Sequence, residues 1–452
     1  MKIPWLCAVL LAYPATFALA QQMPGAAQNS GDESAAQVLR LDDVVREALG
    51  KNPEAQSALH AIKALQRHVP QAEAMPDPIA SVGWAGNLAP FSIMAGDPSS
   101  YRGITLSEQF PYPGKLKLQG AIAGKDVEAA QVSYEAIRRR ITAEVKAAYY
   151  DYFYFDKAIQ ATDSNKELIE KISKIAEAQY RVGKAMLPDV LRSQVEISLL
   201  LEKKIMLEQQ KATAQAHINA YLQRTPESPL PPAEEVLPAT IHLSIEELYA
   251  LAAGNDTTVL GNGKMIERGR LGVALAQRQS LPDFGVSYMV QQRTDQATMN
   301  GFTFSVNIPV FYKTKQWQAV AEATETLLSA EKTRENRLNE VRFELKQQYL
   351  AAKAGEQLLS LYSKGVVPQT SMALQSSMAA YETGKADFLS LLANFTTLLN
   401  YETDYYRQLA DYETAIARME SLTGTAITEP DDKKSEEQSA PAQAVDAPKK
   451  EM

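Results

Sequence analysis

The sequence predicts a mostly α fold with a small β part, built twice: long-helix hairpins plus four short strands. Three observations predict it. The chain of 452 residues repeats itself in order about 200 residues apart. Four short segments alternate apolar and polar residues with period two. Two stretches of more than sixty residues read as helix that turns back on itself.

The repeats are visible by eye. Leu39-Arg40-Leu41-Asp42-Asp43-Val44 returns as Leu243-Ser244-Ile245-Glu246-Glu247-Leu248, and Met75-Pro76-Asp77 returns as Leu281-Pro282-Asp283. Gly103–Pro111 returns as Gly301–Pro309, Glu144-Val145-Lys146 with Tyr149 as Glu344-Leu345-Lys346 with Tyr349, and Tyr180-x-x-Gly183-Lys184-Ala185 as Tyr381-x-x-Gly384-Lys385-Ala386. A period this long is too large for a solenoid, so it marks two half-domains that pack together. The expected organisation is a first repeat over 38–225, a linker over 226–240 broken by Pro226, Pro229, Pro231, Pro232 and Pro238, and a second repeat over 241–424.

The ends carry different signals. Lys2, an apolar run from Trp5 to Leu19 and Ala18-Leu19-Ala20 read as a cleaved secretory signal over 1–20. Residues 21–37 read as a flexible lead, and 425–452, rich in Glu, Lys, Pro and Gln, as a disordered tail. The only cysteine, Cys7, lies inside the signal, so the mature chain is expected to hold no disulfide and no cysteine metal site. With a net charge of -8, a nucleic-acid role has no electrostatic support. No later segment approaches eighteen consecutive apolar residues, so any membrane insertion must use strands.

Each repeat opens with an expected helix, about 41–74 and 244–280, and then meets a proline and a strand. In 79–88, Val82, Trp84 and Leu88 oppose Ser81 and Gly83; in 103–110, Ile104, Leu106 and Phe110 oppose Thr105, Ser107 and Gln109. In 284–291, Phe284, Val286, Tyr288 and Val290 oppose Gly285, Ser287 and Gln291; in 301–308, Phe302, Phe304, Val306 and Ile308 oppose Gly301, Thr303, Ser305 and Asn307. Each strand is about the length that crosses a bilayer, although a half-buried sheet of a soluble domain would alternate in the same way.

The helices decide between those readings. Lys115 to about Tyr180 runs without proline, on the order of 100 Å of helix. Ile137, Ile141, Val145, Ala148, Tyr152, Phe155 and Ile159 form a coiled-coil-like stripe along it. A turn at Gly183–Pro188 sends the chain back along 189–222. The second copy is expected to run from Lys313 to Thr383 and turn at Gly384. Its inward residues are Leu338, Val341, Leu345 and Ala352, then Leu398, Tyr401, Tyr405, Leu409, Tyr412, Ile416 and Met419 on the return. Soluble domains rarely need paired helices of this length; a tube standing off a membrane does. Four strands cannot close a barrel, and the polar face carries Ser81, Thr105, Ser107, Gln109, Ser287, Gln291, Thr303, Ser305 and Asn307, which are small and wettable. A water-filled lumen therefore needs several chains in one wall. Three copies would supply twelve strands and a quasi-sixfold tube.

Taken with the turn motifs Tyr180-x-x-Gly183-Lys184…Asp189-Val190-Leu191 and Tyr381-x-x-Gly384-Lys385…Leu391-Leu392, residues 38–424 resemble the TolC family of outer-membrane efflux proteins. Gln109-Phe110-Pro111-Tyr112-Pro113-Gly114-Lys115 resembles the strand-to-helix junction of its heavy-metal subgroup, which serves copper-silver and cobalt-zinc-cadmium systems. The resemblance implies a homotrimer with a twelve-stranded transmembrane β-barrel in outer-membrane lipid and a periplasmic α-barrel. It implies an exit duct for a tripartite pump of the resistance–nodulation–division type, in a Gram-negative-type cell, with a periplasmic adaptor and an inner-membrane pump as partners. It also implies adaptor docking at Gly183, Lys184, Gly384 and Lys385, and a closed tip joining Asp189 to Tyr381. The family's arginine position is Ala386, beside Lys385, and its two constricting aspartate rings fall on Ser390 and Ala393, so a gate here would draw on Asp189, Tyr381, Lys385 and Ser390.

A type I secretion duct or a multidrug duct would share these strands and tips. A periplasmic adaptor or coiled-coil structural protein would not need four alternating strands. No catalytic residue, cofactor or metal site is expected. His60, His68, His217 and His242 form no ligand cluster in the sequence, the thirteen methionines are scattered, and no phosphate loop or nucleophile elbow occurs.

Overall fold

A computed structural model describes residues 38–86, 93, 99–293 and 296–428. The expected signal over 1–20, the lead over 21–37, Leu88 and nearly all of the expected tail lie outside the described residues.

Each repeat begins with a pair of helices rather than the single helix expected. In the first, α1 (Leu41–Lys51) stops at Asn52 and α2 (Pro53–Glu73) starts afresh. The Asn52 side chain accepts the N–H groups of Glu54 and Ala55 at 2.9 and 3.3 Å, and Pro53 takes the first helical position, where its missing N–H is no loss. The second repeat makes the same break without a proline. The helix over Ile245–Asn255 ends at Asp256, whose carboxylate accepts Val259 N–H at 2.9 Å to start the helix over Thr257–Arg278. Asn52 and Asp256 are 204 positions apart, the same spacing as Leu39 and Leu243, so the capped break belongs to the duplication.

Two hairpins come after the helix pairs: β1 (Ile79–Ala85) with β2 (Tyr101–Phe110), and β3 (Asp283–Arg293) with β4 (Met299–Asn307). They form one antiparallel sheet in the order β1-β2-β3-β4, joined across the repeats by β2 and β3. The hairpins share one register. Ile79 faces Ser107 in the first, and the residues 206 and 198 positions later, Gly285 and Ser305, face each other in the second.

Helix α3 (Lys115–Arg181) is continuous for 67 residues, about 100 Å, and returns as α4 (Leu187–Tyr221). With the helices of the second repeat numbered α5 (Ile245–Asn255) and α6 (Thr257–Arg278), its outgoing arm is not continuous. It comprises α7 (Gln316–Leu361), a π turn over Tyr362–Val366 and α8 (Val367–Glu382), succeeded by the return α9 (Phe388–Thr423). The single helix expected from Lys313 to Thr383 is thus corrected. Pro368 has no N–H to give, and the π turn lets the Val367 N–H reach Tyr362 O instead. The sequence supplies the residue this takes: Tyr149 and Tyr349 are 200 apart, whereas Tyr180 and Tyr381 are 201 apart.

The expected stripes supply much of the core, with Ile137, Phe155, Ile159, Leu338, Tyr401 and Tyr405 only half-buried. Ile141, Val145, Ala148 and Tyr152 of α3 are buried, as are Val341, Leu345 and Ala352 of α7 and Leu409, Tyr412, Ile416 and Met419 of α9. Phe153 of α3 packs into the second repeat's cluster and meets Tyr406 edge-on at 6.2 Å. The Pro-rich linker is strapped onto this core. Leu39 exchanges backbone hydrogen bonds with Pro232 and Glu234, and buried tyrosine hydroxyls donate to backbone carbonyls: Tyr149 to Leu39 at 2.8 Å, Tyr152 to Leu230 at 3.2 Å and Tyr412 to Ala239 at 2.6 Å. Among the described residues, no helix is long and apolar enough to cross a membrane.

Candidate channel wall, junction and tip

Directly opposed residues of an antiparallel sheet share a face, so the registers sort the wall. Rows such as Ser81–Thr105, Ser107–Ser287–Thr303 and Gln109–Gly285–Ser305 lie on one side. Gln291 and Asn307 lie on the same side, which brings all nine expected polar-face residues together, along with Met289 in the middle and Arg293 and Asp283 at its two ends. The opposite face holds Val82–Ile104–Val290 and Leu106–Tyr288–Phe302, with Phe284 stacked on Phe304 at 6.0 Å. That apolar face is bare: Val82 is 86% exposed, Phe302 72% and Phe304 61%. Its polar residues lie toward the margins, Arg102, Gln292 and Asn300 at the loop end and Glu108 toward the junction. A bare apolar band with polar margins, backed by a wettable face, is what a strand needs when lipid is on one side and water on the other.

The sheet meets the helices at a junction that crosses the repeats. Asp283, just after Pro282, accepts the Tyr112 N–H at 2.7 Å and the Lys115 ammonium at 2.8 Å, and Lys115 also donates to Leu281 O at 3.0 Å. Lys115 is buried, so its charge is held by one carboxylate and one carbonyl rather than by bulk water. Gly114 precedes it with φ +90°, a conformation that favours glycine, and Arg278 donates to Pro113 O at 2.8 Å. The motif resembling the heavy-metal subgroup is therefore the place where the first repeat is locked to the second. Sequence reasoning named the motif but not its partner, because Asp283 is more than 160 residues away.

The two hairpin tips are near copies. Gly183 and Gly384 both sit at φ near +74°, with nothing close to where a Cβ would stand. In each, the lysine N–H after the glycine reaches back five residues, Lys184 to Gln179 O at 2.9 Å and Lys385 to Ala380 O at 2.8 Å, while the glycine N–H returns to the tyrosine carbonyl at 3.0 Å. This is the Schellman closure, which requires the left-handed residue.

Between the tips lies a cleft of about 270 Å³ whose lining includes Lys184, Asp189, Tyr381, Gly384 and Phe388. Tyr381 is buried, packs edge-on against Phe388 at 5.6 Å, and its hydroxyl makes no hydrogen bond among the described residues. Burial, with the Asp189 charge second, pushes its phenol above the ordinary range. The expected bond from Asp189 to Tyr381 or Lys385 is not formed. The half-buried Asp189 carboxylate accepts the Met186 N–H at 3.4 Å at the start of α4, and Lys385 is exposed. Ser390 is also exposed and faces Asp387, and its hydroxyl holds that carboxyl below the ordinary range. The residue that does join the tips was not singled out in the sequence: Gln179 Nε2 donates to Glu382 O at 2.7 Å. Its position directly before Tyr180 is the only sequence signal it has.

A strand wall with a lipid-type face and a water-type face, carried on long hairpins that end in glycine tips, defines a membrane-channel subunit. Residues 44–223 match the family model described as outer membrane efflux protein. No curated protein matches the chain in sequence. The fold is shared with several solved outer-membrane proteins. VceC of Vibrio cholerae is 16% identical, covering 86% of this chain and 96% of VceC with a TM-score of 0.71. The CmeC outer membrane channel of Campylobacter jejuni is 14% identical, covering 88% and 89% with a TM-score of 0.70. The MtrE outer membrane channel of Neisseria gonorrhoeae, solved in its open state, is 14% identical, covering 89% and 95% with a TM-score of 0.69. The first repeat, residues 44–223, thus matches the outer membrane efflux protein family, and the second repeat reproduces that repeat's hairpin register and tip closure.

Proposed function

We propose that three copies of this outer-membrane efflux channel close one exit duct, which a periplasmic adaptor docks at the tips and an inner-membrane pump of the resistance–nodulation–division type feeds, with heavy-metal cations as cargo. The observation that carries the duct is the two-faced sheet. One face is bare and apolar, and along the middle of the other Ser81, Thr105, Ser107, Gln109, Ser287, Thr303 and Ser305 are small or neutral polar groups, with charge only at its ends, Arg293 by the loops and Asp283 at the junction. A lumen of that kind stays wet and holds no ion tightly, so passage is not slowed by binding. The metal cargo rests on the Gln109–Lys115 junction motif alone.

The tip supplies the restriction. Asp189 lies close enough to bias Tyr381 without bonding to it, and three copies would place three such carboxylates around one opening. Single-channel recording in planar bilayers tests the gate. Asp189→Ala is expected to raise mean open probability and antibiotic leak, and an unchanged record would remove Asp189 from it. Cargo is tested by metal content in cells lacking the protein. Accumulation of copper, silver, cobalt, zinc or cadmium supports the reading, and accumulation of dyes and antibiotics alone overturns it.

A further inference from the structure

The duplication makes one contact inside the chain that it leaves open at both outer edges. Inside, β2 pairs with β3 in the register Ser107–Ser287, and Asp283 ahead of β3 receives Lys115 at the head of α3. At the outer edges, β1 and β4 have no further strand beside them in the sheet among the described residues. Asp77 stands 206 positions before Asp283, directly after Pro76 as Asp283 comes directly after Pro282, and it is exposed. The counterpart of Lys115 is Lys313 by the spacing of the strands and Lys315 by the spacing of the helices. Both head α7, and both are exposed.

We propose that β4 of one copy pairs with β1 of the next in the register Ser305–Ser81, and that Asp77 of that next copy clamps the Lys313/Lys315 pair at the head of α7. The register comes by arithmetic from the inner joint. Ser107 shifted by 198 is Ser305, and Ser287 shifted by 206 is Ser81. It keeps the faces continuous, with Phe304 against Val82 on the apolar face and both serines on the polar one. The helices complement each other in the same sense. Inside the chain, α9 packs on α3; their counterparts α4 and α7 leave Leu191, Val195 and Leu199, and Phe343 and Leu350, exposed for a second copy. An edge strand with a bare apolar face is a template for another strand, and only a second copy brings the matching register, face and charge together.

This rests on the several-chain duct proposed above, and the experiment separates the two. Directly opposed cysteines in antiparallel strands fall within disulfide range. Oxidation of membranes carrying Ser81→Cys with Ser305→Cys is expected to give covalent trimers on non-reducing gels. Ser81→Cys with Thr303→Cys or Asn307→Cys is expected to give about tenfold less. Asp77→Lys is expected to lower trimer yield in detergent about tenfold, and Lys313→Asp with Lys315→Asp in the same chain to restore it. Trimers by native mass spectrometry that cross-link in another register, or that ignore the charge reversal, overturn the clamp and leave the duct standing. Monomers alone overturn both.

Discussion

The outgoing arms of the two repeats occupy equivalent places and are built differently. In the first, α3 holds one hydrogen-bond ladder from Lys115 to Arg181. In the second, the ladder slips by one residue at Tyr362–Val366, and Pro368 stands in the first turn of α8. A proline inside a helix loses a donor and sets its ring against the carbonyl four residues back, here Lys364. An inserted residue must bulge or rotate everything beyond it by about 100°. The two defects offset each other: the extra residue widens the turn, and the widened turn makes room for the ring. Gly384 lies 16 residues beyond Pro368, so the discontinuity stands about 24 Å from the second tip. The first tip hangs on an unbroken rod and the second on a jointed one.

The sharpest way to break that contrast is to move the proline. Glu167 occupies the position in α3 that Pro368 occupies in the second arm, and its side chain is exposed. Glu167→Pro, without the extra residue, is expected to destabilise the protein by about 3 kcal/mol or more. Pro368→Ala should change stability by less than about 1 kcal/mol, because the π turn already satisfies the neighbouring groups. Denaturant unfolding of the detergent-solubilised protein measures both, and equal losses would remove the joint from the account.

The cores respond to pH in the alkaline direction. Burial pushes the phenols of Tyr149 and Tyr152 up to about 12. Their folded values lie above the free value near 10, so their contribution is intact below about pH 10 and erodes as pH rises toward 12, by up to about 2.7 kcal/mol for each two-unit shift. Tyr149→Phe should flatten part of that alkaline limb in a melting-temperature profile, with Tyr349→Phe as its counterpart control in the second repeat. An unaltered limb would place the sensitivity elsewhere.

The junctions offer a smaller contrast. Asp283→Ala leaves Lys115 buried with one carbonyl and is expected to cost about 2 kcal/mol. Asp77→Ala removes an exposed group and should cost the isolated monomer almost nothing. Comparable losses in monomeric protein would contradict the difference between the two carboxylates. Between the tips the expected difference is smallest: Gly183→Ala and Gly384→Ala should each cost about 1 kcal/mol, and equally, because both tips share one φ and both have open space at Cβ. Unequal costs would mean that the tips are not the copies their hydrogen bonds describe.

Much of this molecule is legible along the chain. The duplication, the faces of the four strands, the continuity of α3 and both glycine tips are local patterns, and local patterns survive in a linear string. Some of the departures also leave a local trace. Asn52-Pro53 is a capped helix start, and the shift in repeat spacing from 200 to 201 announces the extra residue near Pro368. Others leave none. Asp256 breaks its helix with no proline beside it, and Asp189 could have bonded three different neighbours. The Asp283–Lys115 lock and the Gln179 bridge join residues far apart in sequence, so neither has a period to reveal it.

By itself, the sequence determined what is repeated, which residues line each face, and that strands rather than helices must meet the lipid, because periodicity and backbone chemistry act over a few residues at a time. Only the tertiary structure decided the order in which the strands join, which acid holds the buried Lys115, and where the second arm is jointed. Those choices are made between groups brought together by packing, where competing partners are separated by distances no sequence spacing encodes.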